Sequence, residues 1–156
     1  MPASKRVQVG VQYACPKDGL PRRRRIRAWT YAVLDSEAAV HAESITVRFV
    51  GVAEGRTLNR DYRGKDYATN VLTFAYQPPP RLNGDLVLCA PLIAREAIEQ
   101  GKSLEAHCAH LIVHGVLHLQ GHDHEQSTEQ ALAMESRERR ILAVLGYPDP
   151  YIVDEG

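Results

Sequence analysis

Histidines at helical spacing constrain this chain more than any other feature of its sequence. Six of the seven histidines lie in the segment His107–His124, and apolar residues recur with the 3.6-residue period of a helix over Leu104–Gln120. On that helix His110, His114 and His118 share nearly one face, because residues four apart are neighbours on a helical surface. The chain is therefore expected to fold around a long helix that carries a row of imidazoles.

Only neighbouring members of this row can share a metal ion. His110 and His118 are about 12 Å apart along the axis at about 1.5 Å per residue, whereas zinc–nitrogen bonds are only about 2.0–2.1 Å long. The ligand pair is therefore His110 with His114, or His114 with His118. Gly121 can take a left-handed backbone conformation and return the chain towards His118, which favours the second pair.

The chain that follows Gly121 supplies the third ligand in this interpretation. His114, His118 and His124 have the spacing H-x3-H-x5-H, with the glycine placed as in the zinc-binding signature H-E-x-x-H-x-x-G-x-x-H of metzincins. His122 is the alternative third ligand, because turn geometry is not readable from a sequence. Three neutral imidazoles leave zinc with an open coordination position, which is typical of catalytic rather than structural sites.

The residue after the first ligand argues against a peptidase. Metalloproteases carry a glutamate there as general base, whereas this chain has Gly115, which cannot accept a proton. A glycine inside a helix costs about 1 kcal/mol relative to alanine. We therefore expect Gly115 to allow the close approach of a neighbouring strand or helix, or of a substrate. His107 and His110 either orient the metal site or simply pack against their surroundings.

The remaining periodicity predicts an α+β domain. Strands, recognised by alternation or by β-branched and aromatic residues, are predicted over 7–13, 45–49, 71–76 and 82–89, the last two as a hairpin-like pair. Helices are predicted over 21–35, 53–62 (with Leu58 buried), 91–100, 104–120 and 129–145. We predict one metallo-hydrolase-like domain over residues 1–156. Its small mixed four-stranded sheet is covered by helices, and the metal site lies on the long central helix and the turn after it.

Composition limits the environment and the partners. The 19 basic and 19 acidic side chains balance, so net charge does not indicate nucleic acid, although the basic clusters at 22–27 and 56–65 could contact phosphates. No apolar run approaches the roughly 20 residues needed to cross a bilayer, and the N-terminus lacks a signal-peptide pattern. Three scattered cysteines favour a reducing compartment. We expect a cytoplasmic protein with no membrane partner.

The segment His114–His124, HGVLHLQGHDH, resembles the signature of the YbeY family of bacterial rRNA-processing metalloproteins. The similarity extends to LNRDYRGKD at 58–66, TNVLTF at 69–74 and GDLVL at 84–88. It is nearly continuous over 54–151 and weak before residue 44. The chain is therefore identified from its sequence as a member of this family.

This resemblance implies a single-strand-specific, zinc-dependent endoribonuclease that acts in 16S rRNA 3′-end maturation and late-stage 70S ribosome quality control. It implies one zinc ion per chain, bound by His114, His118 and His124, and a functional arginine at Arg63. The family commonly has tyrosine where His122 stands, which favours His124 as the third ligand. The implied partners are single-stranded RNA, 16S rRNA and components of the ribosome or its small subunit, with no DNA.

The residues leave the chemistry partly open. The guanidinium of Arg63 could bind a phosphate through two hydrogen bonds, but no general base is identifiable, and Asp123, His122 and His110 are only candidates. One alternative is a non-catalytic ribosome-assembly factor whose zinc shapes a groove for RNA or protein. Another is a peptidase, which the missing base at Gly115 disfavours.

Overall fold

The computed structural model shows helices and strands at the positions that the sequence patterns predict. It describes residues 7–36, 41–77, 81–121 and 127–151, and of residues 41–43 and 81 it describes the backbone alone. The strands are β1 (Gln8–Ala14), β2 (His41–Val50), β3 (Val71–Ala75) and β4 (Arg81–Cys89). The helices are α1 (Arg23–Asp35), α2 (Val52–Arg63), α3 (Ala90–Glu99), α4 (Leu104–Leu119) and α5 (Thr128–Leu145).

Two boundaries differ from the predictions by more than one residue. Helix α1 begins at Arg23 rather than Pro21, because Arg22 has the extended backbone of an N-cap residue, with φ −76° and ψ 154°. Strand β2 begins four residues before Ile45, at His41, because its pairing with β4 extends beyond the alternating apolar stretch. Both differences concern ends, which local periodicity defines least well.

The four strands form one mixed sheet in the order β1-β2-β4-β3. β2 pairs in parallel with β1 and with β4, and β3 pairs antiparallel to β4. Parallel neighbours need a crossover connection, which α1 provides between β1 and β2. This confirms the predicted α+β class, with its small four-stranded mixed sheet covered by helices, and the hairpin-like pairing of the last two strands.

Each face of the sheet has its own apolar cluster. The larger cluster contains Leu86 and Leu88 together with buried residues of α1, α4 and α5. The smaller cluster contains Val87 and Cys89, against which Leu58 of α2 packs. Because successive residues of a strand point to opposite faces, α2 covers the face of the sheet that is opposite to α4.

The prediction that Leu58 is the buried residue of α2 is wrong. Leu58 is half-buried, whereas Gly55 and Asn59 are buried. The helix meets the sheet along a narrow strip where Gly55 faces Cys89. The side-chain nitrogen of Asn59 donates a 2.7 Å hydrogen bond to the carbonyl of Tyr67, whereas its Oδ1 is buried with no hydrogen-bond partner among the described residues.

Helix α4 lies against β4 and the edge strand β3 and also contacts α1, α3 and α5. A Cβ placed on Gly115 would collide with the fully buried side chain of Leu86, which confirms the expected close approach, here by a strand. The helix begins after Ser103, whose Oγ accepts a 3.1 Å hydrogen bond from the N–H of Ala106. It ends before Gly121, whose φ of 98° confirms the predicted left-handed backbone conformation; the path of the chain after Gly121 lies outside the described residues.

Replacing Gly115 with alanine is expected to lower the free energy of unfolding by about 1 kcal/mol. Overpacking against Leu86 costs about 1–3 kcal/mol, and alanine recovers about 1 kcal/mol of helix propensity. Gly55→Ala is the matched control, because a Cβ there would make ordinary contacts of 3.5–3.7 Å, and we expect it to be neutral or stabilising. Urea unfolding followed by circular dichroism measures both. Equal stabilisation by the two substitutions would contradict the close packing at Gly115.

Candidate metal centre

The four histidines of α4 have different surroundings. His107, near the start of the helix, is buried, whereas His110, His114 and His118 are half-buried. His114 and His118 lie on successive turns of the C-terminal half of α4. Their separation along the axis is about 6 Å at about 1.5 Å per residue, which allows two imidazoles to reach one ion.

A buried carboxylate from α5 contacts two of these histidines. Glu138 is 0% exposed, and its Oε1 lies 3.0 Å from Nε2 of His110 and 3.1 Å from Nδ1 of His114. Its other oxygen, Oε2, accepts a 2.8 Å hydrogen bond from the hydroxyl of Tyr151. A carboxylate taken out of water needs such donors, and these three groups satisfy it.

These contacts keep Glu138 ionised. Burial by itself would raise the pKa of its carboxyl, but the hydrogen bonds to His110 and His114 outweigh burial and lower the pKa to about 2. Burial, and then the neighbouring Glu138, raise the pKa of Tyr151 well above its ordinary value, so its hydroxyl stays a donor. Both oxygens of Glu138 are therefore engaged acceptors, which makes this residue unsuitable as a general base.

The contact with Glu138 decides which nitrogen of His114 suits a metal. An ionised carboxylate only accepts hydrogen bonds, so Nδ1 of His114 carries the hydrogen and Nε2 keeps the lone pair that a metal ligand needs. His110 has the opposite arrangement, because Nε2 is its donating nitrogen. The chemistry of these donors fits zinc at His114. It also favours the pairing of His114 with His118 over the pairing with His110.

The remaining predicted ligands are placed only in part. His118 follows His114 by one turn, but His124, the alternative His122 and the candidate base Asp123 lie outside the described residues. Within the described parts of the chain, no three histidine, cysteine, aspartate or glutamate side chains are grouped closely enough to hold an ion. The set of three histidine ligands therefore stays a prediction.

Arg63 lies at the end of α2, on the other side of the sheet from the histidines. Its side chain is exposed and, among the described residues, makes no hydrogen bond or ion pair. No described contact joins it to the histidines. The edge strand β3 runs between the two sites, since α4 packs against β3 and Tyr62, beside Arg63, contacts Phe74 of β3 with ring centroids 5.2 Å apart.

The arginines at the start of α1 are largely engaged within the fold. The Nε atoms of Arg23 and Arg27 donate hydrogen bonds of 3.4 and 3.0 Å to carbonyl oxygens of the edge strand β1. Arg25 forms an ion pair with Glu105, with atoms 2.7 Å apart. Covering an edge strand in this way protects it from pairing with other chains. These contacts weaken the interpretation of the cluster at 22–27 as a phosphate-binding surface.

The chain is similar to known proteins over almost its whole length. A family model described as endoribonuclease YbeY matches residues 18–146. The chain belongs to the YbeY family. The endoribonuclease YbeY of Aromatoleum aromaticum is 59% identical over 152 residues, covering 96% of this chain and 95% of the relative. The endoribonuclease YbeY of Methylibium petroleiphilum is 55% identical over 152 residues, covering 96% and 97%. The resemblance predicted from the histidine segment is confirmed.

The fold of this YbeY-family chain is also similar to a solved structure. The solution structure of TM1509 from Thermotoga maritima matches with a TM-score of 0.60 and 22% sequence identity. The match covers 94% of this chain and 100% of TM1509. At that identity the likeness concerns the fold alone, and it agrees with the α+β architecture described above.

Sequence reasoning missed three residues that contact the histidines of α4 in this YbeY-family chain: Glu138, Tyr151 and Glu96. A signal for Glu138 was present, because it shares the inward face of α5 with Met134 and Ile141. A carboxylate in an otherwise apolar row predicts a buried polar partner. No local pattern indicated the other two, because their partners are distant in the sequence.

His107 is tied to α3 rather than to the centre. Its Nε2 lies 2.9 Å from Oε1 of Glu96, which also accepts a hydrogen bond of 3.1 Å from the side chain of Asn70. Burial lowers the pKa of His107, and the contact with Glu96 opposes this only in part. These contacts favour the packing role for His107 over a role in orienting the ligands.

We expect His107→Gln to make the protein less sensitive to acid. A buried histidine with a lowered pKa binds protons more readily in the unfolded chain, so its contribution to stability is complete above about pH 6.5 and is lost as the pH falls. A glutamine amide can still donate to Glu96 but does not titrate. Urea unfolding of chelator-treated protein at about pH 7.5 and about pH 5.5 should show the larger loss of stability in the wild type. Equal losses would contradict the burial of a neutral His107.

Proposed function

We propose that this chain is a zinc-dependent endoribonuclease, specific for single-stranded RNA, that acts in 16S rRNA 3′-end maturation and late-stage 70S ribosome quality control. One observation carries the proposal: His114 and His118 lie on successive turns of α4, with His114 held by the buried Glu138, in a chain of the YbeY family. The name endoribonuclease, which its relatives carry, supports RNA phosphodiester hydrolysis as the reaction.

One zinc ion per chain would be held by His114, His118 and His124. When bound, zinc would supply Lewis acidity towards a phosphoryl oxygen or water. The chain's own contribution is to fix which nitrogen of an imidazole keeps the lone pair for the metal, and Glu138 does this for His114. Imidazole sites also bind nickel and copper, so metal analysis belongs in every test of this centre.

Arg63 is the proposed phosphate-binding residue. A guanidinium can donate two parallel hydrogen bonds to a phosphate and can stabilise the negative charge that develops during cleavage. The exposed side chain, engaged by no described residue, leaves these donors available. An RNA strand that lies across the edge strand β3 could reach both Arg63 and the histidine side of the sheet, a path that favours a flexible single strand over a stiff duplex.

We further propose that the protein acts in the cytoplasm as one metallo-hydrolase-like domain over residues 1–156, with 16S rRNA and ribosomal components as partners. The free thiols of Cys15, Cys89 and Cys108 agree with a reducing compartment. Separately, none of the helices in the described residues combines the length and apolar character that crossing a membrane requires.

A non-catalytic role in ribosome assembly is the second candidate, with zinc shaping a groove for RNA or protein. One observation favours it: the carboxylate nearest to the histidines, Glu138, is buried with both oxygens engaged, and the Nε2 of His110 is engaged as well. The described residues near the centre thus include no available general base. The peptidase alternative gains no support, because the side chain of Leu86 fills the space beside Gly115.

The proposed function predicts that metal binding and cleavage can be separated by substitution. The purified protein should bind about one zinc per chain and cut a single-stranded RNA, His114→Ala should lose both properties, and Arg63→Ala should keep zinc while turnover falls about 100- to 1000-fold. Metal analysis and cleavage of a labelled RNA, with folding checked by circular dichroism, measure these properties. Arg56→Ala is the matched control, because Arg56 of the same helix is already paired with Asp66 at 2.8 Å and should keep full activity.

Three results would count against the catalytic proposal. Cleavage by His114→Ala at the wild-type rate would assign the activity to a contaminant. If the Arg63→Ala variant cleaves RNA at the same rate as the Arg56→Ala variant, Arg63 has no phosphate-binding role. Normal rRNA maturation in cells that carry the folded Arg63→Ala protein would favour the assembly-factor candidate.

A further inference from the structure

Glu138 is a fully buried carboxylate in apolar surroundings. It lies on the inward face of α5, where Met134, Ile141 and Leu142 are its buried companions. Removing a charge from water has a large free-energy cost, and apolar residues at such positions are often neutral or stabilising. Packing of α5 therefore gives no reason for a carboxylate here, and the reason must lie in the groups that Glu138 contacts.

Two of these groups are imidazoles that present different nitrogens to the same oxygen. Oε1 of Glu138 lies 3.0 Å from Nε2 of His110 and 3.1 Å from Nδ1 of His114. One accepting oxygen between the two rings requires a hydrogen on each facing nitrogen. Neutral His110 and His114 must therefore be opposite tautomers, although they lie one turn apart on the same helix.

The orientation of the carboxylate is itself fixed. Its Oε2 accepts the hydroxyl hydrogen bond of Tyr151, at 2.8 Å, and the N–H of Tyr151 donates to Asp149 at 2.8 Å. Arg139 pairs with Asp149 at 3.0 Å and lies over the ring of Tyr151, 5.3 Å from its centroid. With Oε2 held in this way, Oε1 is left facing the two imidazoles.

The surroundings of His110 support the assignment of its tautomer. Its Nδ1 is buried and has no hydrogen-bond partner among the described residues. A hydrogen on that nitrogen would be a buried donor without an acceptor, which is unfavourable. The hydrogen therefore resides on Nε2, the nitrogen that faces Glu138.

We infer that Glu138 is a positioning residue of the metal centre: it holds His114 with the hydrogen on Nδ1, so that Nε2 is the nitrogen that would bind the ion, and it holds His110 as a non-ligand. The inference rests on the proposed function, because it concerns the same zinc site. A ligand whose ring orientation and tautomer are already fixed binds a metal more tightly. Glu138 acts through His114 and needs no contact with the substrate.

The first test uses the wild-type full chain, free of metal and labelled with ¹⁵N. Long-range ¹H–¹⁵N NMR spectra at neutral pH distinguish the two tautomers of each imidazole. We expect the hydrogen on Nδ1 of His114 and on Nε2 of His110. A hydrogen on Nε2 of His114, or the same tautomer in both residues, would overturn the inference without any variant having to fold.

The second test measures zinc affinity by competition with a chelator. Glu138→Gln keeps an accepting oxygen but loses the charge, and we expect about 10-fold weaker binding, whereas Glu138→Leu removes both oxygens and should weaken binding about 100-fold. Glu96→Gln is the matched control, because Glu96 contacts His107 of the same helix at 2.9 Å and His107 is not a proposed ligand. It should bind zinc as the wild type does.

The outcomes separate this inference from the proposed function. The positioning role alone is overturned if the wild type binds zinc and the folded Glu138→Leu variant binds it as tightly as the Glu96→Gln variant does. A wild type that binds no zinc would overturn the zinc-dependent function together with the positioning role. Three results together would establish Glu138 as the positioning residue. Both Glu138 variants bind zinc more weakly, the tautomer of His114 changes in them, and the zinc affinity of the Glu96→Gln variant is unchanged.

Discussion

The close contact between Gly115 of α4 and Leu86 of β4 sets the geometry on which the site depends. Because Gly115 has no side chain, one face of α4 lies directly on the sheet, and His114 is turned towards α5, where it meets Glu138. The same contact occupies the space in which a metallopeptidase would carry its glutamate. One residue thus serves the packing of the central helix and limits the chemistry that the histidines beside it can support.

Two carboxylates then tie α4 to its neighbours through histidines, and their roles differ. Glu96, with a side chain 29% exposed, holds His107 against α3, where a neutral buried histidine is a packing element. Glu138 has a side chain only 1% exposed and contacts the predicted ligand His114. A fully buried charge makes the fold less stable than an apolar side chain at the same position would. We therefore expect Glu138 to orient the imidazole rather than to stabilise the packing of α5.

The sequence patterns predicted the secondary structure well, because each element has its own period and its own stop signals. For the metal ligands, helix geometry limited the choice to His110 with His114 or His114 with His118, and the position of Gly121 favoured the second pair, which stays a prediction. The sequence patterns did not predict Glu138, because a period identifies the inward face of α5 but not the residue of α4 opposite it. Leu58 was misjudged because the contact of α2 with the sheet is too narrow to bury it.

The path of the substrate could not be predicted either, since it depends on topology. Arg63 and His114 belong to helices on opposite faces of the sheet, a relation that no local motif encodes. The edge strand β3 between them gives the proposed route for a single strand of RNA. The position of His124 relative to His118 lies outside the described residues, so the three-histidine set rests on its spacing, on the positive φ of Gly121 and on membership of the YbeY family.

The central claim is that zinc is bound by the imidazoles of His114, His118 and His124 with an open position for oxygen. X-ray absorption at the zinc edge of the metal-loaded full chain tests this most directly. The account predicts three imidazole nitrogens at about 2.0–2.1 Å, one or more oxygen ligands and no sulfur. A sulfur ligand at about 2.3 Å, or only two imidazoles, would contradict it.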